Sequence, residues 1–349
     1  MKALCFYAKR DLRYEDVADP VIEKDDDVIV KVKAVGICGS DIARYRNLGP
    51  YVPGNVWGHE FAGEVASVGS KVTNLKVGDR VVGCPNLVCH ECAACRSGHP
   101  SRCEKLNTIG AYVPGAFAEY IKMPAKNLIK MLDTMSYDEG ALTEPATVAI
   151  HGLYQSDIKL GHSVAVVGCG NIGLMCIAWA KAFGAKTVYA LDLDDAHLET
   201  AKKFGADVLI NTSNVDFHDE IRKYCDGVDL AIESAGNAYT AARVLGLPHK
   251  GGQVIYMGIP YADVPVPRFY FEKIMRNELN IVGSWCTISA PYPGKEWENA
   301  VAYIGSHKVK VTDMITHHAK LSEGPAIFEQ IMENPHQFGK VLLYPELDK

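Results

Sequence analysis

The sequence predicts a two-domain α/β protein in which a β-rich domain is joined to a doubly wound parallel sheet. A chain of 349 residues is longer than one hydrophobic core of ordinary size requires. Short β-rich runs broken by Gly, Pro and Asp fill the chain to about residue 125, and from about residue 150 apolar strands alternate with helices. These observations place the β-rich domain at 1–150, completed by 289–349, and the parallel sheet at 151–288.

The β-rich part is predicted from valine-rich stretches that end at turn-forming residues. They include DVIVKVKAVGI, EFAGEVASVGS and GDRVVGC. Runs of this kind are typical of a small, mostly antiparallel, barrel-like domain.

The second part is predicted from strands that follow one another with helices between them. SVAVVGCGNIGLMCIAWAKAFGA contains a strand, a glycine turn and a helix, and further strands follow in KTVYALDLDD, DVLINT, VDLAIESAG, GGQVIYMGIP and LNIVGSW. This alternation indicates a parallel, doubly wound sheet. We expect the remaining tail, with the helix-forming GKEWENAVAYIGSHKV and the strand-like GKVLLYP, to pack on the first domain.

Composition excludes several classes of function. The formal net charge of −6, without a clustered Lys/Arg tract, argues against binding to nucleic acid or to an anionic membrane. Charged residues come too soon in MKALCFYAKRDLRYEDV for a signal peptide, and no stretch approaches the roughly 20 apolar residues that cross a bilayer. We therefore expect a cytoplasmic protein, whose 11 cysteines indicate metal binding or buried thiols rather than disulfides.

A glycine motif predicts a dinucleotide site. Gly168, Gly170 and Gly173 have the G-x-G-x-x-G spacing directly after a strand, and Asn171 and Ile172 fall within the motif as the following helix opens. Glycine lets the backbone approach a pyrophosphate, and the helix N-terminus offers free N–H groups. Asp192 ends the next strand, where it would accept hydrogen bonds from the ribose hydroxyls and repel a 2′-phosphate, which favours NAD over NADP. The alternative is a solvated acid beside glycines that serve only packing.

Four cysteines lie close together in CHECAACRSGHPSRC. Cys89, Cys92 and Cys95 are separated by two residues each, and Cys103 follows after seven more. Four thiolates satisfy a tetrahedral Zn²⁺ completely, so such a site is closed and structural. The alternative is four unrelated thiols, which fits poorly with their crowding in a polar loop.

Other metal-binding residue types are scattered along the chain. Cys38 follows a strand in VGICGSD, His59 and Glu60 stand in WGHEFAGEVASVG, and Glu144 precedes a proline in GALTEPATVAIHG. Taken singly, each has an ordinary alternative: a buried thiol, a hydrogen-bonded histidine or a helix-capping acid.

A family resemblance connects these residues. GHEFAGEVASVG resembles the G-H-E-x-x-G-x5-G signature of the zinc-containing alcohol dehydrogenases of the medium-chain dehydrogenase/reductase superfamily, and the likeness extends from CGSD to the terminal GKVLL. The resemblance implies a GroES-like catalytic domain followed by a Rossmann nucleotide-binding domain. It further implies Cys38, His59 and Glu144 as ligands of a catalytic zinc, with Glu60 as a glutamate that exchanges at the metal.

The resemblance also implies a proton path. Ser40 matches the hydroxyl that passes the alcohol proton toward the nicotinamide ribose, although a structural hydrogen bond in the turn is the alternative. Many relatives have a histidine three residues later, where this chain has Ala43, so Glu60 or solvent would take that role. Gly258 and Ser284 follow the fifth and sixth predicted strands and are expected to contact the nicotinamide through their backbone.

The expected activity is hydride transfer from a secondary hydroxyl of a sugar alcohol to NAD. The segment GSWCTISAPYPGKEWE resembles the polyol-phosphate branch, which implies a hexitol phosphate such as galactitol 1-phosphate. Alternatives are sorbitol, 2,3-butanediol or L-threonine as substrate, or a catalytically silent nucleotide-binding scaffold. A phosphate would need a cation, for which the candidates are Arg44, Arg46, Arg268 and Lys295. The family also implies a homodimer or homotetramer.

Overall fold

The computed structural model describes residues 1–348, which form two compact units. The first unit contains Met1–Thr147, Thr287–His307 and the chain from Met314 onward, and the second contains Val148–Cys286 and Lys308–Asp313. The units change between residues 147 and 148 and between 286 and 287, beside the limits at 150 and 289 that the sequence predicts, whereas the short segment Lys308–Asp313, within the predicted 289–349, belongs to the second unit.

The first part of the chain is mostly strand, with short helices at its turns. Its strands are β1 (Lys2–Ala8), β2 (Asp11–Asp16), β3 (Asp27–Gly36), β4 (Asn55–Val56), β5 (Glu60–Val68), β6 (Arg80–Gly83), β7 (Asn86–Leu87), β8 (Asn107–Thr108), β9 (Tyr120–Pro124) and β10 (Leu128–Lys130). Its helices are α1 (Gly39–Ala43), α2 (Ala93–Arg96), α3 (Tyr137–Ala141) and α4 (Thr143–Tyr154), with a π-helical turn at Arg44–Leu48 and a 3₁₀ turn at Pro100–Arg102.

The second unit alternates strands and helices. Its strands are β11 (Ser163–Val167), β12 (Thr187–Asp192), β13 (Val208–Asn211), β14 (Val228–Glu233), β15 (Pro248–Tyr256) and β16 (Asn280–Gly283). Its helices are α5 (Asn171–Ala182), α6 (Asp195–Lys203), α7 (Phe217–Ile221), α8 (Ala238–Arg243) and α9 (Arg268–Arg276). The strands are parallel in the order β13-β12-β11-β14-β15-β16. This is the doubly wound sheet that the sequence predicts, and its inner strands are apolar because both faces are buried.

The tail completes the first unit. It contains α10 (Lys295–Gly305), β17 (Ile315–Lys320), α11 (Gly324–Glu333) and β18 (Lys340–Tyr344). The main sheet of this unit runs β10-β6-β5-β3-β18-β17, with β9 also paired to β3, and β2-β1-β4 form a second sheet. Because β18 lies antiparallel to β3, it brings Lys340 close to the end of β3.

Alternating side chains of β3 and β5 form the core of the first unit. Val28, Val30 and Val32 are fully buried and pack in one cluster with Phe61 and Phe117.

The prediction of a two-domain α/β fold is confirmed. None of the helices in the described part of the chain has both the length and the apolar character needed to span a bilayer.

Candidate functional site

Cys38 is held at the turn between β3 and α1. It is the N-cap of α1, and its backbone N–H donates to Oδ2 of Asp41 at 2.9 Å. Asp41 is only 3% exposed, so its carboxylate fixes the turn from the inside. Asp41 Oδ1 also lies 3.7 Å from Nδ1 of His59. One buried acid therefore orients two of the predicted ligands, as carboxylates behind metal-bound histidines do.

Glu60 is the first residue of β5 and is fixed by a buried lysine. Lys340 Nζ donates to Glu60 Oε2 at 2.6 Å and to the Ile37 carbonyl at 3.0 Å. Both side chains of the pair are almost completely buried. Gly36 makes room for this carboxylate, because a Cβ on Gly36 would overlap Glu60 Oε2.

Three donor atoms meet at this place. One ligand atom each of Cys38, His59 and Glu60 lies within 4.8 Å of the others, and we call these residues the Cys38 cluster. Glu144, in the first turn of α4, is 8% exposed and its charge acts on His59. In the described part of the chain, the group of donor atoms that lie within 4.8 Å of one another does not include Glu144. Sulfur, imidazole nitrogen and carboxylate oxygen are donors that Zn²⁺ accepts, so the residues fit a zinc ion.

Buried charge sets the electrostatics of the Cys38 cluster. Burial alone would lower the pKa of His59, but the charges of Asp41 and Cys38 outweigh it and raise that pKa well above its ordinary value. Burial and the neighbouring Glu60 raise the pKa of Glu144 to about 7, against the opposing effect of His59. A carboxyl with such a pKa exchanges a proton near neutrality, so a divalent cation would favour its charged form.

The four predicted structural ligands also meet. The sulfurs of Cys89, Cys92, Cys95 and Cys103 lie within 4.8 Å of one another, and we call these residues the four-cysteine cluster. Backbone N–H groups donate to the sulfurs; the Cys92 N–H donates to Cys89 Sγ at 3.3 Å and the Cys89 N–H donates to Cys103 Sγ at 3.4 Å. Hydrogen bonds from backbone N–H groups lower the pKa of Cys92 to about 6. All four are free thiols, and four converging sulfurs fit a closed zinc site.

The second unit contains a cavity of about 680 Å³ beside the glycine turn, which we call the nucleotide pocket. Gly168, Gly170 and Asp192 line it. Asp192 Oδ2 accepts the N–H of Cys169 at 2.6 Å, and Oδ1 lies 3.3 Å from Nδ1 of His197. Although burial would raise the pKa of Asp192, these contacts lower it, so the acid that lines the pocket is charged.

The glycine motif has the local geometry that a nucleotide requires. Gly168 has φ +89°, and a Cβ on Gly173 would overlap the Gly168 carbonyl, so the turn and the helix can approach each other closely. Gly170 is the N-cap of α5, and Asn171 and Ile172 are its first residues. The N-terminus of α5 therefore presents its N–H groups at the pocket.

Gly258 and Ser284 lie at the carboxyl ends of β15 and β16. The Gly258 N–H donates to the backbone carbonyl of Glu233 at 3.0 Å, and the Ser284 N–H donates to the backbone carbonyl of Tyr256 at 2.9 Å. Within the described part of the chain, neither Gly258 nor Ser284 lines the nucleotide pocket. Ser40, in the first turn of α1, is exposed to solvent.

Sequence reasoning missed the residues that support the ligands. Asp41 and Lys340 stand inside quoted motifs, but their pairing with His59 and Glu60 depends on the fold. His197, Asn237 and Tyr239 line the nucleotide pocket without a motif of their own. The rule that ligands bind at the carboxyl ends of parallel strands would have pointed to the residues after β14.

The fold and both clusters define a zinc-binding dehydrogenase. The family model of the alcohol dehydrogenase GroES-like domain matches residues 24–133, and that of zinc-binding dehydrogenases matches residues 171–304. The chain belongs to the zinc-containing alcohol dehydrogenase family, and within that family to the polyol dehydrogenases. The family prediction made from GHEFAGEVASVG is therefore confirmed.

Individual relatives are similar along almost the whole chain. Sorbitol dehydrogenase of Bacillus subtilis (strain 168) is 36% identical, covering 99% of this chain and 97% of that protein. Galactitol 1-phosphate 5-dehydrogenase of Escherichia coli (strain K12) is 34% identical, covering 96% and 97%. The crystal structure of galactitol-1-phosphate dehydrogenase from Escherichia coli superposes with a TM-score of 0.94 at 33% identity, covering 99% of this chain and 100% of that chain.

Proposed function

We propose that the protein oxidises a secondary hydroxyl of a polyol with zinc and NAD, giving a keto sugar, and that its substrate is a hexitol phosphate such as galactitol 1-phosphate. The observation that carries the proposal is the meeting of Cys38, His59 and Glu60 donor atoms within 4.8 Å. The polyol dehydrogenases that resemble this chain along almost its full length support the choice of substrate class.

In this proposal Cys38 and His59 hold the catalytic zinc together with a carboxylate from Glu144 or Glu60. A zinc ion held there supplies a Lewis acid that makes a bound hydroxyl easier to deprotonate. Asp41 keeps the His59 imidazole in its orientation, and Lys340 holds one oxygen of the Glu60 carboxylate in place. A donor set of three protein ligands leaves a position for substrate.

Ser40 is proposed to accept the proton of the alcohol and pass it outward. Its place in the first turn of α1, two residues after Cys38, and its exposure to solvent suit that role. Ala43 has no group to continue the path, so the proton would reach solvent directly.

NAD is the proposed cofactor because Asp192 lines the nucleotide pocket as a charged acid. Its carboxylate would accept hydrogen bonds from the adenosine ribose and repel the 2′-phosphate of NADP. The glycine turn and the N-terminus of α5 would hold the pyrophosphate. Gly258 and Ser284 are proposed to contact the nicotinamide through backbone groups.

Sorbitol is the second candidate substrate, because the sorbitol dehydrogenase relative is slightly more identical than the galactitol 1-phosphate enzyme. 2,3-Butanediol and L-threonine stay predictions from the family alone. A silent nucleotide-binding scaffold would not need the Cys38 cluster, whose donors are all present.

The proposal also includes the four-cysteine cluster as a structural zinc site and self-association through the second unit. β16 pairs with β15 on one side, and Ile281 on β16 and the following Trp285 are exposed. An edge strand with exposed apolar residues suits sheet pairing between two copies, in a dimer or a tetramer. A cytoplasmic location is part of the same proposal.

Initial rates with NAD and NADP test the proposal on galactitol 1-phosphate, other phosphorylated polyols, sorbitol, 2,3-butanediol and L-threonine. We expect zinc-loaded protein to reduce NAD faster than NADP with a polyol or its phosphate, and the Cys38→Ala variant to be inactive. Zinc-loaded protein that reduces neither cofactor with any polyol would refute the function.

A further inference from the structure

Arg44 lies one helical turn beyond Ser40, on the helix that begins at Cys38. The π-helical turn at Arg44–Leu48 continues α1 directly, and the Arg44 N–H donates to the carbonyl of Ser40. Residues four apart share one face of a helix. Arg44 is six positions after Cys38 in the sequence, which corresponds to a rise of about 9 Å along a helix axis. Arg44 therefore stands on the face of Ser40, a short distance from the Cys38 cluster.

The side chain of Arg44 is held in a fixed orientation. Its Nη1 donates to the Gly49 carbonyl at 2.9 Å, and its guanidinium carbon lies 3.2 Å from the centroid of the Tyr51 ring. The Tyr51 ring packs in turn on Tyr112, with centroids 4.6 Å apart. Stacking on an aromatic ring fixes the guanidinium plane and leaves its other N–H groups free to bind a ligand.

Arg44 also lacks an acidic partner among the residues that the structure describes. Other arginines differ in this respect, since Arg268 and Arg276 both pair with Glu272. Arg46, on the same turn, is exposed and its Nε contacts the sulfur of Met332. A fixed arginine whose charge is not balanced by a carboxylate is suited to bind an oxyanion through paired N–H groups.

We propose that Arg44 binds the phosphate at the end of a polyol phosphate whose reacting hydroxyl lies at the Cys38 cluster. The inference rests on the proposed function and names the group that recognises its substrate. The carbon chain of a hexitol phosphate is comparable in length to the backbone rise of about 9 Å from Cys38 to Arg44. The sequence predicts four candidate residues for binding the phosphate. Arg268 is a poor candidate because it already pairs with Glu272, and in the described structure neither Arg46 nor Lys295 stacks on an aromatic ring as Arg44 does.

The test compares galactitol 1-phosphate with galactitol, which differ only in the phosphate. For Arg44→Gln we expect the ratio of kcat/KM for galactitol 1-phosphate to kcat/KM for galactitol to fall about 10- to 100-fold, as expected for a lost charged hydrogen bond. Arg44→Lys should give a smaller fall, because lysine keeps the charge without the paired donors. Arg46→Gln, the matched control, should leave the ratio unchanged.

Several outcomes would overturn the inference. An equal loss on both substrates would mean that Arg44 supports the local structure only, and an equal fall in the Arg46→Gln ratio would mean a general effect of charge. A rise in the KM for NAD in Arg44→Gln, with the ratio unchanged, would assign the arginine to a cofactor phosphate instead. Wild-type protein that oxidises only unphosphorylated polyols would refute the inference but leave the proposed function intact, whereas inactivity on both would refute both.

Discussion

Each of the two units contains an acidic residue with a basic neighbour at its site, and the two pairs differ in burial. Glu60 and Lys340 are 2.6 Å apart, with side chains 2% and 1% exposed. Asp192 and His197 are 3.3 Å apart, with side chains 13% and 38% exposed. In the first pair the buried Lys340 fixes Glu60, which is itself a member of the Cys38 cluster. The second contains a histidine that can gain or lose its charge with pH.

The difference shows how burial decides the role of an ion pair. A fully buried pair is costly to break, because removing one partner leaves a charge without solvent. A partly exposed pair is screened by water and contributes little to stability, but its charge changes with conditions. We therefore expect Lys340 to determine geometry at the Cys38 cluster and His197 to adjust cofactor choice.

The largest expected effect comes from Lys340→Met. This change leaves the Glu60 carboxylate buried without its partner. Breaking a buried ion pair in this way typically lowers the free energy of unfolding by about 3–5 kcal/mol. We expect kcat to fall about 10- to 100-fold and zinc affinity at the Cys38 cluster to change, as for other residues behind metal ligands. Initial rates and zinc titration measure both. Lys320→Met is the control, since Lys320 is exposed at the end of β17. Equal activity in the two variants would refute the role of the buried pair.

Asp192→Ser should have the next largest effect, on cofactor choice. Without the carboxylate, the nucleotide pocket no longer repels a 2′-phosphate. We expect the ratio of kcat/KM for NADP to kcat/KM for NAD to rise about tenfold or more, equivalent to about 1.4 kcal/mol. Initial rates at saturating polyol give this ratio. An unchanged ratio would mean that Asp192 does not face the ribose.

Gly36→Ala tests the same buried pair without removing a charge. A Cβ at position 36 would overlap Glu60 Oε2, so the carboxylate must shift. We expect a loss of activity of about tenfold, the lower end for residues behind metal ligands. Gly39→Ala is the matched control, because a Cβ at that position meets no heavy atom within 4 Å. If both variants keep full activity, the exact placement of Glu60 is unimportant.

His197→Gln should have the smallest effect, visible in the pH dependence. The hydrogen bond to Asp192, which outweighs burial, raises the pKa of His197, and Asp194 adds to this. The cation is therefore present at low pH and lost as pH rises through the raised pKa. In the wild type we therefore expect the ratio of kcat/KM for NADP to kcat/KM for NAD to rise as the pH is lowered from about 9 to about 6. Because the pair is partly exposed, we expect this rise to be less than about tenfold.

The control for this last prediction is the variant itself. The 2′-phosphate has a pKa of about 6, so some pH dependence belongs to the ligand and remains in His197→Gln. Only the difference between wild type and variant reports the histidine. Identical pH profiles of the ratio in the two proteins would contradict the prediction.

Sequence could predict the features that depend on neighbouring residues. The glycine turn, the four-cysteine cluster and the alternation of strands and helices all lie within short stretches, where spacing determines geometry. Cys38 and His59 were identified through the family signature, not through their own spacing.

Features that depend on pairing between distant strands could not be predicted. Lys340 reaches Glu60 only because β18 lies beside β3, and the chain gives no local sign of that neighbour. The sequence expectation named both Glu144 and Glu60 beside Cys38 and His59, and in the structure the donor atoms that lie within 4.8 Å of one another are those of Cys38, His59 and Glu60. The proximity of these donor atoms depends on how the turn after β3 meets the start of β5, which no single stretch of sequence contains.

The most direct test of the account is the zinc content of wild type, Cys38→Ala and Cys103→Ala, measured together with activity and Tm. The account predicts about two zinc ions per chain in the wild type and about one in each variant, as expected for one open and one closed site. Cys38→Ala should be inactive with a nearly unchanged Tm, and Cys103→Ala should lose stability first. Two zinc ions in Cys38→Ala, or an active Cys38→Ala, would contradict it.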